Sequence, residues 1–171
     1  MNVIKSVVVD RIFKNESPKS IFEVGCAGGL LFAEYYTQHP GLIVGGIDNR
    51  EYNLVAPKHY PECADNFILA DATKTPWKIK DKQYDIVFTV GILLSIPDPR
   101  EIITEMMRIG KIVYLAEFQD DNASMLGIAE ETDNIYTYRI YRDYRKLLKK
   151  LGIKFEIVDL VAGKTIIKCQ E

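Results

Sequence analysis

Apolar positions along this chain switch between two spacings, and the switches mark its elements. From 2 to 14, Val3, Ile4, Val7, Val8, Ile12 and Phe13 recur every three or four residues, which predicts an amphipathic helix. Pro18 separates it from a short apolar strand at 20–24 that ends at Gly25. The following GLLFAEYYTQ predicts a helix stopped by Pro40 and Gly41. GLIVGGID is a second buried strand, the segment 50–64 is partly helical but interrupted by Pro57 and Pro61, and NFILAD is a third strand. YDIVFTV at 84–90 is the fourth. Asp98, Pro99 and Glu101 then open a helix that runs to Gly110, with cap, first-turn proline and acid in place. KIVYLAEF is the fifth strand, after which a polar loop from Gln119 to Asn134 leads into a helix over 138–151 carrying Ile140, Tyr144, Leu147, Leu148 and Leu151 on one stripe. KFEIVDL and KTIIKCQ, joined through Ala162 and Gly163, close the chain as a hairpin.

Strands alternating with helices predict an α/β fold with a mostly parallel sheet covered on both faces, to which the hairpin adds one antiparallel strand. The length of 171 residues fits one domain spanning 1–171, with the helix of 1–17 packed on or near the substrate side. Ligands of such sheets sit at the carboxyl ends of the strands. Composition narrows the classes without choosing one. With 47% apolar residues, 27% charged residues and a net charge of −2, neither disorder nor a broad polyanion-binding surface is indicated. The first apolar stretch is broken by Lys5, Asp10 and Arg11, and no run approaches the roughly 18 apolar residues of a membrane span, so a cytoplasmic location is expected. Cys26, Cys63 and Cys169 are odd in number and widely spaced, which suits free thiols and neither a disulfide framework nor a metal site.

The strand ends carry the chemistry. In SIFEVGCAGG, Glu23, Gly25, Ala27 and Gly29 follow one another at steps of two. A dinucleotide fingerprint needs glycines where Ala27 and Leu30 stand, so that reading is disfavoured. A carboxylate two residues before the first glycine faces a pyrophosphate badly and suits a ligand carrying a cationic amine. Asp48 ends the second strand, where an acid can accept both hydroxyls of a ribose. Asp71 and Ala72 end the third, where a carboxylate and a backbone N–H can meet an adenine edge. Each acid taken alone fits a helix cap or a solvated turn equally well; three in strand order argue together.

The succession EVGCAGG, GGID, LADATKTPW and YDIVFTVGILLSIPDP resembles the class I S-adenosylmethionine-dependent methyltransferases over roughly residues 18–170. The resemblance implies a Rossmann-like, three-layer αβα sandwich on a seven-stranded sheet, with S-adenosyl-L-methionine as cofactor. It further implies that Glu23, Gly25, Cys26, Ala27 and Gly29 hold the methionine portion, Asp48 with Asn49 the ribose, Asp71 and Ala72 the adenine, and that Val90 and Gly91 line the methyl-donor pocket. Ala27 replaces a common glycine, and Leu94 and Ser95 stand where many relatives have an acid and a histidine, which removes a histidine base. The motif of amino-methylating enzymes acting on nucleic-acid bases is missing, which argues against DNA base methylation.

For a hydroxyl acceptor needing deprotonation, Glu117, Asp120 and Asp121 at the end of the fifth strand are the acids that topology places best, and Tyr136 and Arg139 are candidates for touching substrate. Cys26 has no base near it in sequence and suits a tight loop, and His39 and His59 lie beside prolines in connections. The basic run from Arg139 to Lys150 is read as the solvated face of a packed helix, so nucleic acid is not the expected partner. A small-molecule substrate is expected, with a partner subunit or homodimer left open. The rival expectation is a non-catalytic cofactor-binding subunit that supports a partner protein.

Overall fold

The computed structural model describes residues 3–29, 38–50, 61–119, 126–132 and 135–170. The predicted helix after Gly29 and the segment 51–60, with His59, therefore lie outside the described residues. The elements are α1 (Val3–Glu16), β1 (Ser20–Val24), β2 (Ile43–Asp48), β3 (Phe67–Leu69), β4 (Tyr84–Val90), α2 (Arg100–Ile109), β5 (Gly110–Phe118), β6 (Leu126–Thr132), β7 (Ile135–Tyr141), α3 (Tyr144–Lys150), β8 (Lys154–Val161) and β9 (Lys164–Gln170). Short 3-10 turns occupy Pro61–Asn66 and Leu93–Ser95.

Seven strands form one sheet in the order β3-β2-β1-β4-β5-β9-β8. β1 pairs in parallel with β2 and β4, and β5 in parallel with β4; β9 runs antiparallel to both β5 and β8. The strand order reverses at β1 and β4, so the ends of these two strands frame the crevice in which such sheets bind ligands. The terminal hairpin turns through Ala162 and Gly163, at φ 48 and 76 degrees, the left-handed pair that matches the twist of its strands.

The sheet is apolar on both faces because both are covered. Val8, Val9 and Ile12 of α1 bury against Ile21, Val44, Ile86, Tyr114 and Ile166 on one face. On the other, Ile102, Ile103, Met106 and Ile109 of α2 and Tyr144 and Leu148 of α3 pack with Phe22, Val24, Val87, Val113 and Ile167. Each such aliphatic side chain contributes about 1.5–3 kcal/mol relative to standing in water. α1 is also tied by polar contacts: Glu16 accepts from Tyr114 Oη at 2.9 Å and pairs with Lys168 at 2.5 Å.

One expectation fails after β5. Residues 126–132 of the predicted loop and 135–141, where the predicted helix was to begin, pair instead as an antiparallel ribbon, β6–β7, and the helix that follows is shorter. IYTYRIY at 135–141 is rich in β-branched and aromatic residues, which favour the pleated conformation over helix. The helix starts only where Asp143, in extended backbone, accepts the Lys146 N–H at 3.1 Å as an N-cap. Tyr136, Tyr138, Arg139 and Tyr141 thus belong to a strand. At the start of α2 the offset is one residue: Pro99 holds the cap position, while Asp98 accepts the Arg100 N–H at 3.2 Å.

Candidate functional site

The turn after β1 is built around positive backbone angles. Gly25 has φ 76 degrees, and a Cβ there would lie 2.5 Å from Cδ1 of Ile92, so the glycine both makes the turn and lets the loop after β4 approach it. Ala27 adopts φ 50 degrees without that freedom, a conformation an alanine holds at a cost of about 1 kcal/mol. Cys26 packs its side chain onto Gly46 of β2, where a Cβ would stand 2.6 Å from that of Cys26. Burial raises the Cys26 thiol above its ordinary range and its Sγ points to the Ala27 carbonyl at 3.7 Å, so it is a protonated packing group.

Glu23 is fully buried at the end of β1. Burial raises its carboxyl from the usual carboxylate value, and the neighbouring Lys5 opposes that rise. Lys5, from α1, places Nζ 2.5 Å from Oε1 of Glu23 and donates to the Gly25 carbonyl at 3.1 Å. Glu23, expected from the sequence to meet an amine-bearing ligand, receives one ammonium from the chain itself. Oε2 of Glu23 is buried with no hydrogen-bond partner among the described residues. The carboxylate therefore keeps one acceptor oxygen in reserve.

Asp48 binds the turn together. Oδ2 accepts the Ala27 N–H at 2.9 Å and Oδ1 the Arg50 N–H at 3.1 Å, while Asn49 beside it is exposed. Asp71 closes a local turn: Oδ1 accepts the N–H of Thr73 at 2.9 Å and its hydroxyl at 2.8 Å, and those two bonds hold its carboxyl below the usual range. Ala72 is buried and its carbonyl accepts from the Trp77 indole at 3.1 Å. The acids at the ends of β2 and β3 thus have loop-forming work of their own.

The end of β4 meets the end of β5. The Gly91 N–H donates to the Ala116 carbonyl at 3.0 Å, and Gly91 takes φ 71 degrees. Glu117, 1% exposed, accepts the Leu93 N–H on Oε1 at 3.3 Å, while Oε2 has no partner among the described residues. Burial pushes its carboxyl up to about 7, against the pull of the amides at 91–93 and of Lys164. Asp120 and Asp121 lie outside the described residues, and Tyr136 and Arg139 are described only as backbone in β7, opposite Glu131 and Ile128. Of the catalytic candidates, Glu117 alone is therefore placed as a side chain, behind the loop after β4.

Three residues that the motifs did not single out shape the site. Lys5 reaches Glu23 from α1. Arg142, 8% exposed, was expected on a solvated basic face; its guanidinium instead donates to the carbonyls of Leu93 at 2.9 Å, Pro97 at 2.7 Å and Ile140 at 3.3 Å, and to that of Ile96. Glu117 and Arg142 hold the same loop by its N–H and its carbonyl groups respectively. Lys164, at the start of β9, is buried with Nζ 3.7 Å from the Phe118 ring centroid. The signals were faint: a lysine one turn into an apolar helix, an arginine beside a helix cap and a lysine just after a Gly turn.

The family model described as a methyltransferase domain matches residues 22–112. A ubiquinone biosynthesis O-methyltransferase from Nitrosomonas europaea is 30% identical over 118 residues, which is 65% of this chain and 47% of that protein. The chain thus spans about half the length of this relative. Among solved structures, the fold is similar to the DhpI–SAH complex, with TM-score 0.66 at 20% identity over 99% of this chain and 85% of that one. It is similar also to the N-terminal domain of EvdMO1 with SAH bound, with TM-score 0.66 at 16% identity over 98% and 79%. Human N-acetylserotonin methyltransferase in complex with SAM gives TM-score 0.66 at 17% identity over 98% and 51%.

Proposed function

The chain belongs to the class I S-adenosylmethionine-dependent methyltransferases, and on that premise we propose that it is one enzyme domain transferring a methyl group to a hydroxyl of a small-molecule acceptor. The observation that carries the reading is the reserved oxygen of Glu23. A buried carboxylate oxygen without a donor is costly unless a ligand completes it, and S-adenosylmethionine has an ammonium suited to that place. The other strand ends fit the rest of that cofactor. In this reading Gly25, Cys26, Ala27 and Gly29 enclose its amino-acid end, and Lys5 balances the Glu23 charge. Asp48 and Asn49 receive the ribose hydroxyls, Asp71 and Ala72 the adenine edge, and Val90 and Gly91 line the donor side.

When bound, the cofactor supplies a methyl group on a sulfonium, so its leaving group is a neutral thioether. The chain's part is then alignment in a water-poor crevice, which is where such displacements gain most. Glu117 and Arg142 fix the loop at 91–97 against β5, and Glu117 acts as a positioning residue for that loop. No helix among the described residues is long and apolar enough to cross a membrane, and the three cysteines are free and buried, which supports a reducing, cytoplasmic setting. The match to an O-methyltransferase supports oxygen as the acceptor atom.

Incubation with S-adenosylmethionine tritiated in the methyl group and a panel of hydroxylated small molecules, 3,4-dihydroxybenzoate among them, tests the proposal. Label is expected in an acceptor, with transfer at least tenfold slower in Glu23→Gln. Binding of cofactor with no transfer to any hydroxyl would favour the supporting-subunit reading instead.

A further inference from the structure

We propose that Glu117 is a proton-operated latch on the loop after β4: neutral, its carboxyl packs beneath the loop and lets it close on the cofactor, and ionised, it releases the loop. The inference rests on the methyltransferase reading, which puts the donor side of the cofactor against Val90 and Gly91.

The loop is gripped at one residue from two sides. Glu117 Oε1 accepts the Leu93 N–H at 3.3 Å, and Arg142 donates to the Leu93 carbonyl at 2.9 Å. Two positions beyond Leu115 on β5, Glu117 shares the face of that residue, and Thr89 of β4 is level with Leu115. Tyr144 packs into the same cluster as Leu115. Oε2 of Glu117, Oγ1 of Thr89 and Oη of Tyr144 are each buried with no hydrogen-bond partner among the described residues. The charged and titratable groups around Glu117 are Lys164 from β9 and, at the head of α3, Tyr144 with Arg142 beside it, while Asp143 is turned to the Lys146 N–H. The loop at 91–97 carries no titratable side chain.

The two states of this carboxyl need different surroundings. The neutral acid has one O–H to place, and the hydroxyl oxygens of Thr89 and Tyr144 on its face have unused acceptor capacity. The anion has lone pairs to satisfy and, beside the long bond from Leu93, needs water. Thr89, Leu115 and Tyr144 belong to the packed core, so the loop is the element that moves aside to admit it. The amides at 91–93 and Lys164 favour the anion, yet burial outweighs them and lifts the group to about 7. A carboxyl raised beneath the closed loop, and returned toward its ordinary value when the loop opens, stabilises closure at low pH. That contribution is lost as pH rises through the folded value, so closing the loop on the cofactor takes up a proton near neutral pH.

The test titrates the full chain and Glu117→Gln, an isostere of the neutral acid, with S-adenosylhomocysteine by calorimetry at pH 6 and pH 8. Glu23, on the opposite face of the sheet, titrates alike in both chains, so the ratio of their dissociation constants isolates Glu117. Wild type is expected to weaken relative to Glu117→Gln by about threefold or more between the two pH values. In the unliganded chain, amide exchange at 93–95, corrected for its intrinsic pH dependence, should accelerate relative to β1 in wild type and not in Glu117→Gln. An unchanged ratio, a ratio moving the other way, or exchange at 93–95 that merely tracks β1 overturns the proposal. Should Glu117→Gln fail to fold, the wild-type exchange decides. Absence of S-adenosylhomocysteine binding at both pH values sinks the methyltransferase reading and the coupling with it, whereas binding with an unchanged ratio sinks the coupling alone.

Discussion

Lys5 and Glu23 form an ion pair of 2.5 Å that joins α1 to the turn after β1, with the carboxylate wholly buried and the lysine side chain 15% exposed. Because Lys5 also donates to the Gly25 carbonyl, one side chain fixes both the charge and the backbone of the ligand turn. Breaking a buried pair by removing one partner leaves an uncompensated charge and typically costs about 3–5 kcal/mol. Lys5→Met should lose stability on that scale in urea denaturation, and Lys5→Met with Glu23→Gln should recover part of it. A loss below about 1 kcal/mol in the single variant would show that the pair does not hold α1 in place.

Asp48 joins two amides across the turn. Asp48→Ala removes both bonds and the acceptor proposed for the ribose, so affinity for S-adenosylhomocysteine should fall at least tenfold while the melting temperature drops only a few degrees. Calorimetric titration of the folded variant measures this. Unchanged affinity would contradict the ribose assignment and leave Asp48 as a turn residue.

Glu117 gives a pH dependence with a definite sign. Its carboxyl titrates at about 7 in the folded chain, against about 4.3 when unfolded. Between those values the folded state holds a proton that the unfolded state has released, so stability from this group is lost as pH rises through the window and is constant above it. Glu117→Gln should therefore lose less stability than wild type between pH 5 and pH 8, by an amount on the order of 3 kcal/mol. Equal losses in urea unfolding at the two pH values would mean that the carboxyl titrates in its ordinary range.

Arg142 donates to four carbonyls, and three of them, those of Leu93, Ile96 and Pro97, lie in the loop after β4. Arg142→Met should destabilise by about 3 kcal/mol, since charge-assisted bonds to buried acceptors are lost. Amide exchange at 93–97 should accelerate more than exchange in β1. Uniform acceleration across the sheet would show that the guanidinium does not act on that loop in particular.

The sheet was legible in the sequence because parallel strands covered on both faces read as unbroken apolar runs, as in YDIVFTV, and because Gly, Pro and the Ala162–Gly163 turn punctuate them. The ribbon β6–β7 was not: its IYTYRIY segment adjoins a true helical stripe through Tyr144 and Leu148, and the two periodicities merge into one apparent helix. At the site, Glu23, Asp48 and Gly91 were visible as residue types at strand ends. The basic residues packed around these strand ends and the loop after β4 were hidden, because Lys5, Arg142 and Lys164 come from other elements and are brought there only by the fold. A local pattern reveals a loop; it does not reveal which distant charge neutralises it.

Calorimetric titration of the wild-type chain with S-adenosylhomocysteine and, separately, with NAD tests the central claim most directly. The account predicts saturable binding of one S-adenosylhomocysteine per chain and no heat with NAD. Absence of S-adenosylhomocysteine binding, or saturable binding of NAD, would contradict it.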